Sequence, residues 1–90
     1  MIYSEEKVEI EFPCDYPIKI MGRNVDRFKK IVLSVVENIA PDIRRNTITS
    51  RTSREGNFIS ITVVIVATGK PQLEQLHREL KATGLVSMVL

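Results

Sequence analysis

The chain has 90 residues, 43% of them hydrophobic and 27% charged, which provides for one core and excludes a second domain. Its formal charge of +2 is too small to name a partner, and its lone cysteine, Cys14, excludes an internal disulfide and a cysteine-based zinc site. The longest apolar run, Val63 to Ala67, is far shorter than the roughly 20 residues of a membrane-spanning helix.

Residues 1 to 11 follow neither a helical nor a strand period. They carry Glu5, Glu6, Glu9 and Glu11 against Lys7, a net charge of −3. They read as a flexible acidic segment ahead of a single domain over residues 12–90. An acidic start with no uninterrupted apolar stretch behind it does not resemble a signal peptide, and an unpaired cysteine suits a reducing compartment, so a cytoplasmic protein is expected.

From Tyr16 to Met21 the alternation of Tyr16, Ile18 and Ile20 with Pro17, Lys19 and Met21 predicts a first strand with one buried face, ended by Gly22. Asn24 has the side chain of an N-cap, and Asp26 in the first turn would favour the helix dipole. The predicted helix places Val25, Phe28, Ile31, Val32, Val35, Val36 and Ile39 on one arc, with Leu33 off it. Ala40-Pro41 stops it, because proline lacks the amide and restricts the residue before it.

Ile43 to about Ser53 is β-branched and polar, and its arginines suit an exposed edge strand. Arg54-Glu55-Gly56-Asn57 supplies residues that tight turns tolerate at positive φ, so a hairpin should lead into a third strand, Phe58 to Ala67. One face of that strand carries Ile59, Ile61, Val63, Ile65 and Ala67. The other ends in Val64 and Val66, which predicts that something covers the back of the sheet. Pro71 opens a second helix with Leu73, Leu76, His77 and Leu80 inward, and Gly84 ends it. Leu85 to Leu90 reads as a closing strand. The order β-α-β-β-α-β, with right-handed crossovers, gives an α+β ferredoxin-like plait: an antiparallel sheet in order 4-1-3-2 with both helices on one face.

Few residues carry a signal for chemistry. His77 is the single histidine and reads as a boundary core residue without metal partners. Ser34, Ser60 and Ser87 have no evident base, so no catalytic residue, metal site or cofactor is indicated. The loop Met21-Gly22-Arg23-Asn24 superficially resembles the phosphate loop of acylphosphatases but lacks its second glycine. RNA-recognition modules of the same fold need spaced aromatics on the third strand, where Gly56-Asn57-Phe58-Ile59-Ser60-Ile61-Thr62 offers one. Arg44, Arg45, Arg51 and Arg54 could contact phosphates; as a solubilising edge they need no nucleic acid. The closing strand is apolar on both faces and carries no charged residue, so Leu85, Val86, Met88, Val89 and Leu90 form a candidate interface for a second copy or another protein. Lys19, Gly22, Arg23 and Asn57 cluster at one loop end of the predicted sheet and are candidate ligand-binding residues.

Glu11-Phe12-Pro13, Lys19-Ile20-Met21-Gly22, Ala40-Pro41, Gly56 to Thr62, Ala67-Thr68, the Gln72 to Leu80 helix and Val86-Ser87-Met88-Val89-Leu90 together resemble the YbeD-like family over residues 11 to 90. That resemblance implies a plait similar to the ACT-like regulatory domain of phosphoglycerate dehydrogenase. It also implies a non-enzymatic regulatory or ligand-sensing role in a bacterium and a link to lipoate metabolism. ACT domains bind small effectors between paired subunits near the loop after the first strand, although their Asp-x-Pro-Gly-like signal is missing here. The resemblance thus points to a small-molecule effector and supplies no catalytic residues, while the apolar closing strand points to a homo-oligomer or protein partner and the short apolar runs to no membrane. An adaptor docking through its apolar edge strand is the alternative.

Overall fold

A computed structural model describes residues 11–90. Apart from Glu11, the acidic segment expected at the start therefore lies outside the described residues. The elements are β1 (Cys14–Arg23), α1 (Phe28–Ile39), β2 (Ile43–Thr52), β3 (Phe58–Ala67), α2 (Lys70–Ala82) and β4 (Val86–Val89). They form one antiparallel sheet in the order β2-β3-β1-β4, which is the expected 4-1-3-2 plait. Ile18, Ile20, Ile61, Val63 and Ile65 on one sheet face meet Phe28, Val32 and Val36 of α1 and Leu76 and Leu80 of α2 in a single core. Among the described residues no element covers the opposite face, where Val64 and Val66 are half-buried.

The first strand is longer than its alternation predicts. All ten residues of β1 pair with β3, from Cys14 with Ala67 to Arg23 with Phe58. A ten-residue partner offers hydrogen bonds along its whole length, so the flanking residues join the ladder without contributing a buried side chain. Pro17 fits for a reason of geometry. Lys19 exchanges both backbone hydrogen bonds with Leu90, at 3.1 and 2.8 Å, so odd-numbered residues of β1 aim their backbone groups toward the β4 side. β4 has four residues and does not extend as far as Pro17, whose missing amide therefore costs no ladder bond.

Asn24 is not the N-cap. Arg27 holds that position with no side-chain cap bond, and no acidic residue lies in the first turn. The amide of Phe28 instead donates to the Val25 carbonyl at 3.0 Å, closing a turn that contains Asp26 ahead of the helix. Leu33, off the predicted arc, is partly buried against the core, because α2 packs beside α1 and covers that flank. His77 is exposed rather than at the core boundary. Leu76 and Leu80 are the buried residues of α2, and at 100° per residue His77 falls beyond the edge of that narrow stripe.

β2 is an exposed edge strand, as expected, with one irregularity. Its register with β3 shifts between Arg44 and Thr49. Thr47 repairs the interrupted ladder: its hydroxyl donates to the Arg44 carbonyl at 2.6 Å and accepts from the Val64 amide at 3.3 Å.

Candidate functional site at the loop end of the sheet

Two loops meet where β1 ends and β3 begins. The β2–β3 turn is tightened by Gly56 at φ +79°, by the Gly56 amide donating to the Ser53 carbonyl at 2.9 Å, and by the Ser53 amide donating to the Phe58 carbonyl at 2.8 Å. The Ser53 hydroxyl accepts from the Phe58 amide at 3.1 Å. Asn24 then clasps the β1–α1 loop onto this turn. Its backbone amide donates to the Asn57 carbonyl at 3.0 Å, and its side-chain amide donates to the Gly56 carbonyl at 3.0 Å. Around the clasp lies a pocket of about 370 Å³ lined by Arg23, Asn24, Val25, Gly56, Asn57 and Phe58. A hollow of about 420 Å³ adjoins it, sharing Arg23, Val25 and Phe58 and adding Arg27 and the start of β4.

The clasp brings two of the four candidate ligand residues, Arg23 and Asn57, into one pocket. Gly22 lies beside it but is buried and faces the core. A Cβ at Gly22 would sit 2.5 Å from Phe28 Cε1 and closer still to the Leu85 carbonyl oxygen, so packing alone accounts for a glycine there. Lys19 pairs with Thr62 on the uncovered sheet face, away from the clasp. The pocket's other lining residues are Asn24, Val25, Gly56 and Phe58, none of them a ligand candidate from the sequence. Asn24 reads from sequence as a helix cap, and Phe58, 53% exposed, as the first residue of a strand and the one aromatic of its opening stretch. Its place on the non-core face of β3 was the available signal.

The electrostatics favour binding an anion. Arg44 is paired with Asp15 at 3.0 Å and Arg45 with Glu37, whereas among the described residues Arg23 and Arg27 have no ion-pair partner. A guanidinium, side-chain amides and an exposed ring can bind and orient a ligand by charge, hydrogen bonds and stacking. Among the described residues no group of three or more histidine, cysteine, aspartate or glutamate side chains is placed to hold a metal ion.

The candidate interface residues divide in two. Val86, 9% exposed, belongs to the core, and Leu85 and Val89 pack against it. Met88 and Leu90 are 46% and 66% exposed. Met88 pairs with Met21, and Leu90 with Lys19, which puts both on the uncovered face. Of the described helices, none is long and apolar enough to cross a membrane.

A plait of this order, with its helices on one face and loops clasped at the sheet end, is an ACT-like fold. The fold is similar to that of the ACT domain from GTP pyrophosphokinase of Chlorobium tepidum, with a TM-score of 0.68 and 19% identity over 86% of this chain and 97% of that one. It is equally similar to protein HP0495 from H. pylori, with a TM-score of 0.68 and 15% identity over 91% of this chain and 86% of that one. At these identities the likeness is one of fold. The chain belongs to the family described as "Protein of unknown function (DUF493)", whose model matches residues 7–90. A UPF0250 protein of Ectopseudomonas mendocina is 47% identical over 83 residues, covering 91% of this chain and 90% of the relative. One of Nitrosomonas europaea is 44% identical over 85 residues, covering 94% and 98%. This is the family to which the YbeD-like resemblance pointed.

Proposed function

We propose that this protein is a non-enzymatic regulatory module that binds a small effector at the clasped loops and works as a homo-oligomer or on a partner protein in the bacterial cytoplasm. The observation that carries the reading is the clasp itself. Asn24 spends its side chain on a turn 32 residues away, and the result is a pocket with an exposed aromatic ring and an arginine that has no ion-pair partner among the described residues. The pocket follows the first strand, where ACT domains hold their effectors, and one similar solved structure is described as the ACT domain of GTP pyrophosphokinase. The link to lipoate metabolism implied by the family makes short acyl and lipoyl compounds the first candidates, with amino acids next.

A thermal-shift screen over those compounds tests the reading. Occupancy at one hundred times Kd stabilises by about 2.7 kcal/mol, and a domain of this size gains on the order of 4–8 °C per kcal/mol. A true effector should therefore raise Tm by roughly 10–20 °C, and Arg23→Ala and Asn57→Ala should reduce the rise. A flat response across the whole panel refutes the sensor reading.

The adaptor reading draws on a separate observation: two of the exposed large hydrophobic residues, Met88 and Leu90, lie on the short edge strand or directly after it. Met88→Lys should then abolish capture of a protein partner while leaving the monomer folded. Unchanged capture removes that surface from consideration.

A further inference from the structure

The uncovered sheet face is not uniformly polar. The pairing places Thr49, Thr62, Lys19 and Leu90 in one row across the four strands, with Arg51, Ser60, Met21 and Met88 in the next. Neighbouring strands are about 4.8 Å apart, and two residues along a strand span about 7 Å. Lys19 and Arg51 thus stand at opposite corners of a patch whose middle is filled by hydroxyls. The patch is a hollow of about 380 Å³ lined by Lys19, Thr49, Ser50, Arg51, Ser60 and Thr62. Beside it, sharing Arg51 and Ser60, lies a smaller hollow of about 170 Å³ that adds Met21, Phe58 and Ile59 together with Thr52 and Ser53. Among the described residues no acidic side chain lines either one.

The treatment of the β2 arginines sets this patch apart. Arg44 and Arg45 are neutralised by Asp15 and Glu37. Among the described residues Arg51 and Lys19 have no such partner, and the two cations flank the hydroxyls of Thr49, Ser60 and Thr62. Two cations and three hydroxyl donors exceed what the two oxygens of a carboxylate absorb. They match the three terminal oxygens of a phosphate carrying close to two negative charges at neutral pH. The Met21 and Phe58 hollow then receives whatever the phosphate is esterified to. A two-fold axis through the patch itself is disfavoured, because it would set the partner's copies of these cations against them.

We propose that the uncovered face carries a second ligand site, for a phosphate monoester with a compact apolar substituent. Lys19, Arg51 and the three hydroxyls hold the phosphate, and Met21 and Phe58 hold the substituent. The site shares only the Phe58 ring with the loop-end pocket and stands whether or not that pocket binds an effector.

Titrations of ¹⁵N-labelled protein with inorganic phosphate and with phenyl phosphate test it. Both should shift the amides of Lys19, Thr49, Arg51, Ser60 and Thr62 saturably. Phenyl phosphate should bind about tenfold more tightly, the gain expected from burying much of a ring. Arg51→Gln should weaken both ligands about tenfold or more, as loss of a charge-assisted contact does. Phe58→Ser should remove only the phenyl advantage. All the substituted side chains are exposed, so the rest of each spectrum should be unchanged. Shifts that do not saturate, that survive Arg51→Gln, or that fall on Asn24 and Asn57 instead overturn the proposal.

Discussion

Replacing Gly22 with alanine sets two effects of opposite sign against each other. Gly22 has no positive φ, so alanine fits its backbone and should stabilise by about 0.4–1 kcal/mol through the unfolded chain. Against this, the new methyl carbon would lie 2.5 Å from Phe28 Cε1 and nearer still to the Leu85 carbonyl oxygen. Neither neighbour can yield cheaply: the Phe28 side chain is fully buried, and Leu85 presents backbone rather than a side chain that can change rotamer. Overpacking of this kind costs typically about 1–3 kcal/mol, and two immovable neighbours place Gly22→Ala at the upper end. A net loss near 2–2.6 kcal/mol lowers Tm by roughly 8–20 °C for a domain of this size. Urea unfolding followed by circular dichroism measures it, with an unchanged m-value showing that folded-state stability is what moved. Gly69→Ala is the control, since its Cβ would meet Pro71 Cδ at 3.6 Å, an ordinary contact. A Gly22→Ala protein as stable as the parent would refute the packing explanation and return Gly22 to the ligand-binding candidates.

Thr47→Val keeps the shape of the side chain but removes the hydroxyl that joins Arg44 to Val64; a loss of about 1–2 kcal/mol is expected in the same unfolding assay. Asp15→Asn breaks the pair with Arg44, in which both side chains are more than half exposed, so a change below about 1 kcal/mol is expected, and it should vanish in high salt. Asn24→Ala releases the loop clasp. It should cost about 1 kcal/mol and speed hydrogen exchange at the Asn24 amide, whereas slow exchange there would mean that the backbone bond alone holds the loops.

The plait was legible because its signals are local and periodic. The alternation and turn around β3 recover its bounds, Phe58 and Ala67, and Pro71 and Gly84 bracket α2 as expected. What was not legible depends on distant partners. The same asparagine that can cap a helix can clasp a turn, and only the approach of the hairpin to the β1–α1 loop decides which. Gly22 read as a strand end because neither Phe28 nor the Leu85 carbonyl is visible from its neighbours in sequence. His77 follows the spacing of leucines, but a stripe narrowed to Leu76 and Leu80 leaves it in solvent. Of the candidate site, Arg23 and Asn57 were named in advance, while Asn24 and Phe58 emerge from the pairing of strands far apart in the chain. Val86 shows the reverse: on an edge strand it read as interface, and the inward face of the sheet takes it into the core.

The most direct test of the clasped loops as a sensing site is a ¹⁵N amide spectrum of the protein recorded with and without the small-molecule fraction of a bacterial extract. Occupancy of the pocket predicts saturable shifts centred on Arg23, Asn24, Gly56 and Asn57, lost in Arg23→Ala. A spectrum in which those four amides stay in place contradicts it.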